Sequence, residues 1–172
     1  MLRTGNRQKI KFRARYYGSA VAYEGLSDYN QAIEEMGKAI TLAGDNLDYH
    51  FELGRMYFNR GVQSQNLQQQ QTKDITAAAN KDQEVIAEET LSVNQEKTAP
   101  PITLNNDLQA AEAIFKNIID VSPNYANALY SLGLIYETIG NKGQAKQYYE
   151  RLLDVVSDQP TKEAILKKLQ SL

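Results

Sequence analysis

The chain has no cysteine and only one histidine among its 172 residues. Without cysteine there is no disulfide framework, no thiol nucleophile and no thiolate metal site, and the redox compartment stays open. A lone histidine disfavours both histidine-based zinc chemistry and a Ser-His-Asp triad. No stretch approaches about 18 consecutive apolar residues, and the start lacks the apolar core of an export signal. A soluble chain, cytoplasmic by default, is therefore expected. With Lys+Arg 19 against Asp+Glu 21 the net charge is -2, so no overall excess announces nucleic acid or an acidic substrate.

What is present is a 42% apolar share in a length suited to one domain, and an internal repeat. Tyr23, the pair Asp28-Tyr29, Ala32, Met36 and Ala39 recur in kind as Tyr136, Asn141, Ala145, Tyr149 and Leu152, which is 136 − 23 = 113 residues later. Between them, Leu53, Gly54 and Tyr57 up to Gly61 form the first half of a further unit. Asp107, Leu108, Ala111, Phe115, Ile118 and Pro123 form its second half. One unit is split by an insertion.

These residues resemble the tetratricopeptide repeat, whose period is 34 residues: a large residue, Leu-Gly and Tyr in the first helix, then Ala, an aromatic, Ala and a closing Pro in the second. The resemblance implies an all-α, right-handed solenoid of helical hairpins. Repeat one would span 13–46, repeat two 47–61 and 106–125, and repeat three 126–159. Departures fall at Ser19, His50, Leu129, Gly44 and Ser157. His50 takes a packing position and is read as structural.

Local chemistry agrees with that architecture. Gly54 and Gly133 lie inside helices, where glycine costs about 1 kcal/mol, so close helix approach is the expected compensation. Asp28, Asp107 and Asn141 share one repeat position and read as N-caps of the second helices. After Pro160, residues 161–172 place Ile165, Leu166, Leu169 and Leu172 on one face, as a C-terminal capping helix requires.

Residues 62–105 stand apart. They contain no aromatic residue, a run from Gln68 to Gln71, another from Ala77 to Ala79, and Pro100-Pro101 near the end. By composition this is a low-complexity, disordered insertion, into which the preceding helix continues for a turn or two. The first 23 residues hold Arg3, Arg7, Lys9, Lys11, Arg13 and Arg15 and no acid, so this start is +6 and the remainder −2 − 6 = −8. Residues 1–12 form a basic segment, either solvated or facing an anionic partner.

No set of residues assembles a nucleophile with its base. Gly37-Lys38 lacks the other residues of a phosphate loop, and Gly140 to Gly143 sits at a turn between helices. An enzyme, a metal site, a cofactor and a small-molecule substrate are not expected. The family resemblance implies instead a non-enzymatic scaffold that binds a peptide or helix of a partner protein on the concave surface lined by the first helices. Projected there are Tyr17, Val21 and Glu24; Phe51, Arg55 and Phe58; and Tyr130, Leu134 and Glu137, each trio at i, i+4, i+7 spacing. The carboxylate clamp of Hsp90 and Hsp70 co-chaperone repeats is absent, with Tyr17, Val21, Glu52, Asn127 and Ser131 at its positions. Glu24, Asp48, Glu52 and Glu137 would favour a ligand bearing positive charge.

A second reading makes the chain the soluble C-terminal appendage of a larger bacterial membrane protein of the O-antigen ligase or polymerase kind. Membrane association through the basic start or a missing upstream portion, and a homo-oligomer, stay open at this stage. RNA binding through the basic start is disfavoured, because no nucleic-acid motif accompanies the charge.

Overall fold

A computed structural model describes residues 2–82 and 105–172, with side chains from 8–76 and 105–172. Among the described residues there are seven helices and no strand. They are α1 (Leu2–Gly25), α2 (Tyr29–Ala43), α3 (Leu47–Asp82), α4 (Asn106–Val121), α5 (Ala126–Thr138), α6 (Lys142–Val155) and α7 (Gln159–Ser171). Successive pairs, α1 with α2, α3 with α4 and α5 with α6, form three helical hairpins stacked in chain order, and α7 closes the end.

Repeats one and three share one turn. Asp28 N–H donates to the Tyr23 carbonyl at 2.9 Å and Asn141 N–H to the Tyr136 carbonyl at 2.8 Å. The residue before each cap is left-handed: Ser27 at φ 59° and Gly140 at φ 75°. Asp28 then accepts from the Gln31 N–H and Asn141 from the Gln144 N–H, satisfying orphan donors of the second helix.

Repeat two departs from this scheme. Its first helix does not end at Gly61 but runs to Asp82, about six further turns, where one or two were expected. The remainder of the expected insertion, from 83 to 104, lies outside the described residues. The N-cap of α4 is Asn105, whose side chain accepts from the Leu108 N–H at 2.8 Å; Asp107 sits inside the helix. With no tight turn to fix its start, α4 begins two residues early. Asn105 Nδ2 also donates to the Gly61 carbonyl at 2.8 Å, tying the interrupted hairpin at its open end. Asp107 is instead paired with Arg60, at 2.9 Å through Nε and 2.5 Å through Nη2.

Both glycine expectations are met in contacts. A Cβ on Gly54 would lie 2.7 Å from Phe115 Cε1, and one on Gly133 would overlap the Tyr149 ring. Phe115 and Tyr149 occupy the same repeat position. In repeat one the corresponding pair is Ala20 and Met36, both fully buried. A small residue facing a large one recurs three times, and where the small residue has a Cβ the large one is an unbranched, adaptable methionine.

The core has two clusters, and α3 joins them. Met56 packs with Ala20, Ala32, Met36 and Ala39, whereas Phe51, Tyr57 and Phe58 border the larger cluster built from α4 to α7. In α7 only Ile165 is fully buried. Leu169 and Leu172 are half-buried and Leu166 is exposed, so the capping face is narrower than its sequence implies. Residues 2–12 of the basic start form the first turns of α1.

Candidate functional site

The nine projected residues lie on α1, α3 and α5, the first helices of the three hairpins. Their neighbours divide them into four groups. Two aromatic residues turn inward: Phe51 has its ring 5.6 Å from Phe115 and 5.8 Å from Tyr125, and Phe58 borders the same large cluster. Two positions stay open, Val21 at 41% exposure and Tyr130 at 38%. Tyr17 and Leu134 are half-buried. Tyr17 stacks on Tyr49, centroids 5.0 Å apart, which carries the face from α1 across to α3.

The charged members are paired within the chain. Arg55 donates to Glu24 at 2.7 Å and to Glu52 at 2.9 and 2.5 Å, and Asn59 Nδ2 adds a bond to Glu24 at 3.1 Å. Burial works against the Arg55 charge, but the two carboxylates outweigh it and push its pKa up. Glu137 accepts from Lys168 of α7 and from the Tyr149 hydroxyl, each at 2.7 Å. Burial alone would raise its pKa; the Lys168 and Tyr149 hydrogen bonds prevail and hold it below 4.5. Asp48 accepts from the Tyr125 hydroxyl at 2.7 Å. These carboxylates are not four free attractors for a cationic ligand, because Arg55, Lys168 and Tyr125 already occupy them.

The two cation bridges repeat. Glu24 to Arg55 and Glu137 to Lys168 each span 31 residues, which is one 34-residue period less three. A glutamate late in one first helix reaches a cation in the first helix of the next unit. By this register α7 is the first helix of a fourth unit that lacks its second. At the middle interface, Phe58 and Leu134 hold the corresponding positions. The row is therefore bridged by charge at both ends and apolar between them.

Single-residue projection missed Tyr49, Asn59 and Lys168, each of which touches a projected residue. The signal available was the 31-residue offset between opposite charges, which the insertion leaves intact because neither bridge crosses it. His50 lines a small cleft with Asp45, Leu47, Ile114, Asn117, Ile118 and Val121 and shares a 2.9 Å hydrogen bond with the Asn46 carbonyl, consistent with a structural role. Among the described residues, no cluster of His, Cys, Asp or Glu could hold a metal ion.

Residues 14–46 and 126–155 match the family model for the tetratricopeptide repeat. No curated protein matches the sequence. Among solved structures, the chain is similar to the TPR domain of Arabidopsis OM64, at 12% identity over 95% of this chain and 98% of that one, with a TM-score of 0.59. It is similar also to the Sgt2 TPR domain from Aspergillus fumigatus, at 16% identity over 92% and 79% of the two chains, TM-score 0.55. MamA matches at 18% identity over 83% of this chain and 57% of its own, TM-score 0.51. At these identities the likeness carries the fold alone.

Proposed function

We propose that the chain, whose residues 14–46 and 126–155 match the tetratricopeptide repeat, is a protein–protein interaction scaffold that takes a peptide or helix of its partner on the face formed by α1, α3 and α5. The observation that carries this reading is the continuity of that face. Glu24–Arg55 and Tyr17–Tyr49 join α1 to α3, the Tyr125–Asp48 hydrogen bond ties α3 to the start of α5, and Glu137–Lys168 joins α5 to α7, while Val21 and Tyr130 stay exposed. An apolar, aromatic surface held rigid by flanking ion pairs is the composition of a binding hot spot. With the end charges neutralised internally, the ligand segment is apolar at its centre and carries little net charge.

The test is capture of partners by the wild-type chain beside a Val21→Glu, Tyr130→Glu double variant. Both residues are exposed, whereas Phe51→Glu would place a charge against Phe115 and unfold repeat two. A partner held by the wild type and lost by the variant, with unchanged helicity by circular dichroism, supports the face as the recognition site. Equal capture by both places recognition elsewhere. The alternative reading, an appendage of a membrane protein, draws support from the basic α1 start. It requires an in-frame run of hydrophobic spans in the DNA upstream of Met1.

A further inference from the structure

Past Asn59, α3 outruns its neighbour α1. The Asn59–Glu24 hydrogen bond marks the level at which α1 ends, at Gly25, whereas α3 continues to Asp82. The side of α3 that faced α1 is therefore uncovered. It carries Gln63 and Asn66, i+4 and i+7 from Asn59 and both exposed. A cleft of about 420 Å³ opens there. On α3, Phe58 and Val62 flank the amide row on one side and Leu67, 59% exposed, on the other, and Tyr29 closes the cleft from the first residue of α2. No residue lining it carries a charge, and among the described residues neither Gln63 nor Asn66 is hydrogen-bonded within the chain.

Three side-chain amides in a row select an occupant by chemistry. Each offers donors and an acceptor, the complement of a peptide group. Asn59 and Gln63 are separated by a rise of about 6 Å, close to the ~6.6–6.8 Å over which an extended chain repeats. A helical ligand satisfies its own backbone and would leave the amides without partners. A charged ligand side chain would find no counterion among the lining groups. The chain itself re-enters on the far side of α3, because Asn105 is tied to the Gly61 carbonyl and Gly61 lies about 200° around the helix from Asn59. The cleft is instead continuous with the α1–α3–α5 face, since Phe58 belongs to both and Asn59 holds Glu24. We propose that one end of the partner segment enters this cleft in extended form, with an uncharged apolar side chain between Tyr29 and Leu67 and its backbone bonded to the amides of Asn59, Gln63 and Asn66. The inference rests on the recognition face proposed above and adds a subsite to it.

The experiment uses peptides enriched from a random displayed library on the wild-type full chain, titrated intact and shortened stepwise from either end. They are tested against the wild type, a Gln63→Ala, Asn66→Ala, Leu67→Ser cleft variant and the Val21→Glu, Tyr130→Glu face variant, all of unchanged helicity. The three cleft positions are exposed, so their replacement leaves the core intact. The expected result is an uncharged apolar residue near one end of the enriched sequence and about tenfold weaker binding by the cleft variant. Shortening the peptide past that residue should make the wild type and the cleft variant equal, while the face variant still binds more weakly. Equal binding of the intact peptide by wild type and cleft variant overturns the cleft alone, as does a charged residue at the responsive end. Loss in the cleft variant with none in the face variant supports the cleft and overturns the face. Tighter binding by the cleft variant, or a wild-type dimer that this variant dissolves, assigns the cleft to the chain itself or to a second copy and overturns the proposal. A library that yields no binder overturns both.

Discussion

The lack of a single methyl group sets the spacing between paired helices at Gly54, where the Phe115 ring fills the volume that a side chain would take. Adding it forces the ring or the backbone to move, and overpacking of this kind costs about 1–3 kcal/mol. Gly54→Ala is expected to destabilise the fold by that amount. Phe115→Met in the same chain should recover part of it, because repeat one pairs Ala20 with Met36 at the same positions. Urea denaturation of both single variants and the double variant reads the coupling, and simple additivity would contradict the account. Residue spacing made these glycines legible in the sequence, since a costly helical glycine demands a packing reason. It did not make the caps equally legible. The repeat pattern fixes Asp107 relative to Ala111 and Phe115, but a helix start depends on the turn before it, and the insertion removed that turn.

At the scale of the element, α3 is one helix in two environments. From Leu47 to Gly61 it lies between neighbouring helices. From Asn66 to Thr76 every residue is exposed, and the described side chains there supply little support: a Gln70–Asp74 hydrogen bond, and Thr72 and Thr76 bonding back to carbonyls in the preceding turn. A helix that is polar on all sides gains almost nothing from tertiary packing. Amide hydrogen exchange is expected to be fast over 66–76 and slow over 51–60; equal protection along α3 would show that its extension is held by contacts beyond those described. Glutamine and alanine tolerate helix without demanding it, which is why composition alone understated how far α3 runs.

The capping helix offers a test by pH. The Lys168 and Tyr149 hydrogen bonds keep the Glu137 pKa below the ordinary 4.5 despite partial burial. A depressed carboxylate pKa contributes stability that is present above the unfolded value and lost as pH falls through the lower folded value. The wild type is therefore expected to melt higher than Glu137→Gln near neutral pH, with the difference shrinking as pH falls from about 5 towards 3. A difference independent of pH over that window would show that the Glu137–Lys168 contact contributes no titrating charge.

Over the whole molecule, three hairpins and a terminal helix form a stack in which each unit touches its neighbours, and α3 belongs to both core clusters. This arrangement was legible from two intact repeats, because a signature that recurs 113 residues apart, with two half-signatures between, admits one reading: a severed middle unit. The composition of the exposed face was legible only in part. Tyr130 and Val21 stay open, but Phe51 closes onto Phe115, and Glu24 and Glu137 bind cations one unit further along. Position within a repeat says which face a residue shares and leaves open whether the next unit supplies its partner.

The most direct measurement of the central claim is selection of binding peptides from a random displayed library, followed by titration of the enriched sequence against the wild type and the Val21→Glu, Tyr130→Glu variant. The account predicts enriched segments with apolar or aromatic residues at the centre and little net charge, bound at least about tenfold more weakly by the folded variant, as expected for loss of an interface anchor. Enriched peptides that are strongly charged, or that bind both proteins equally, would contradict it.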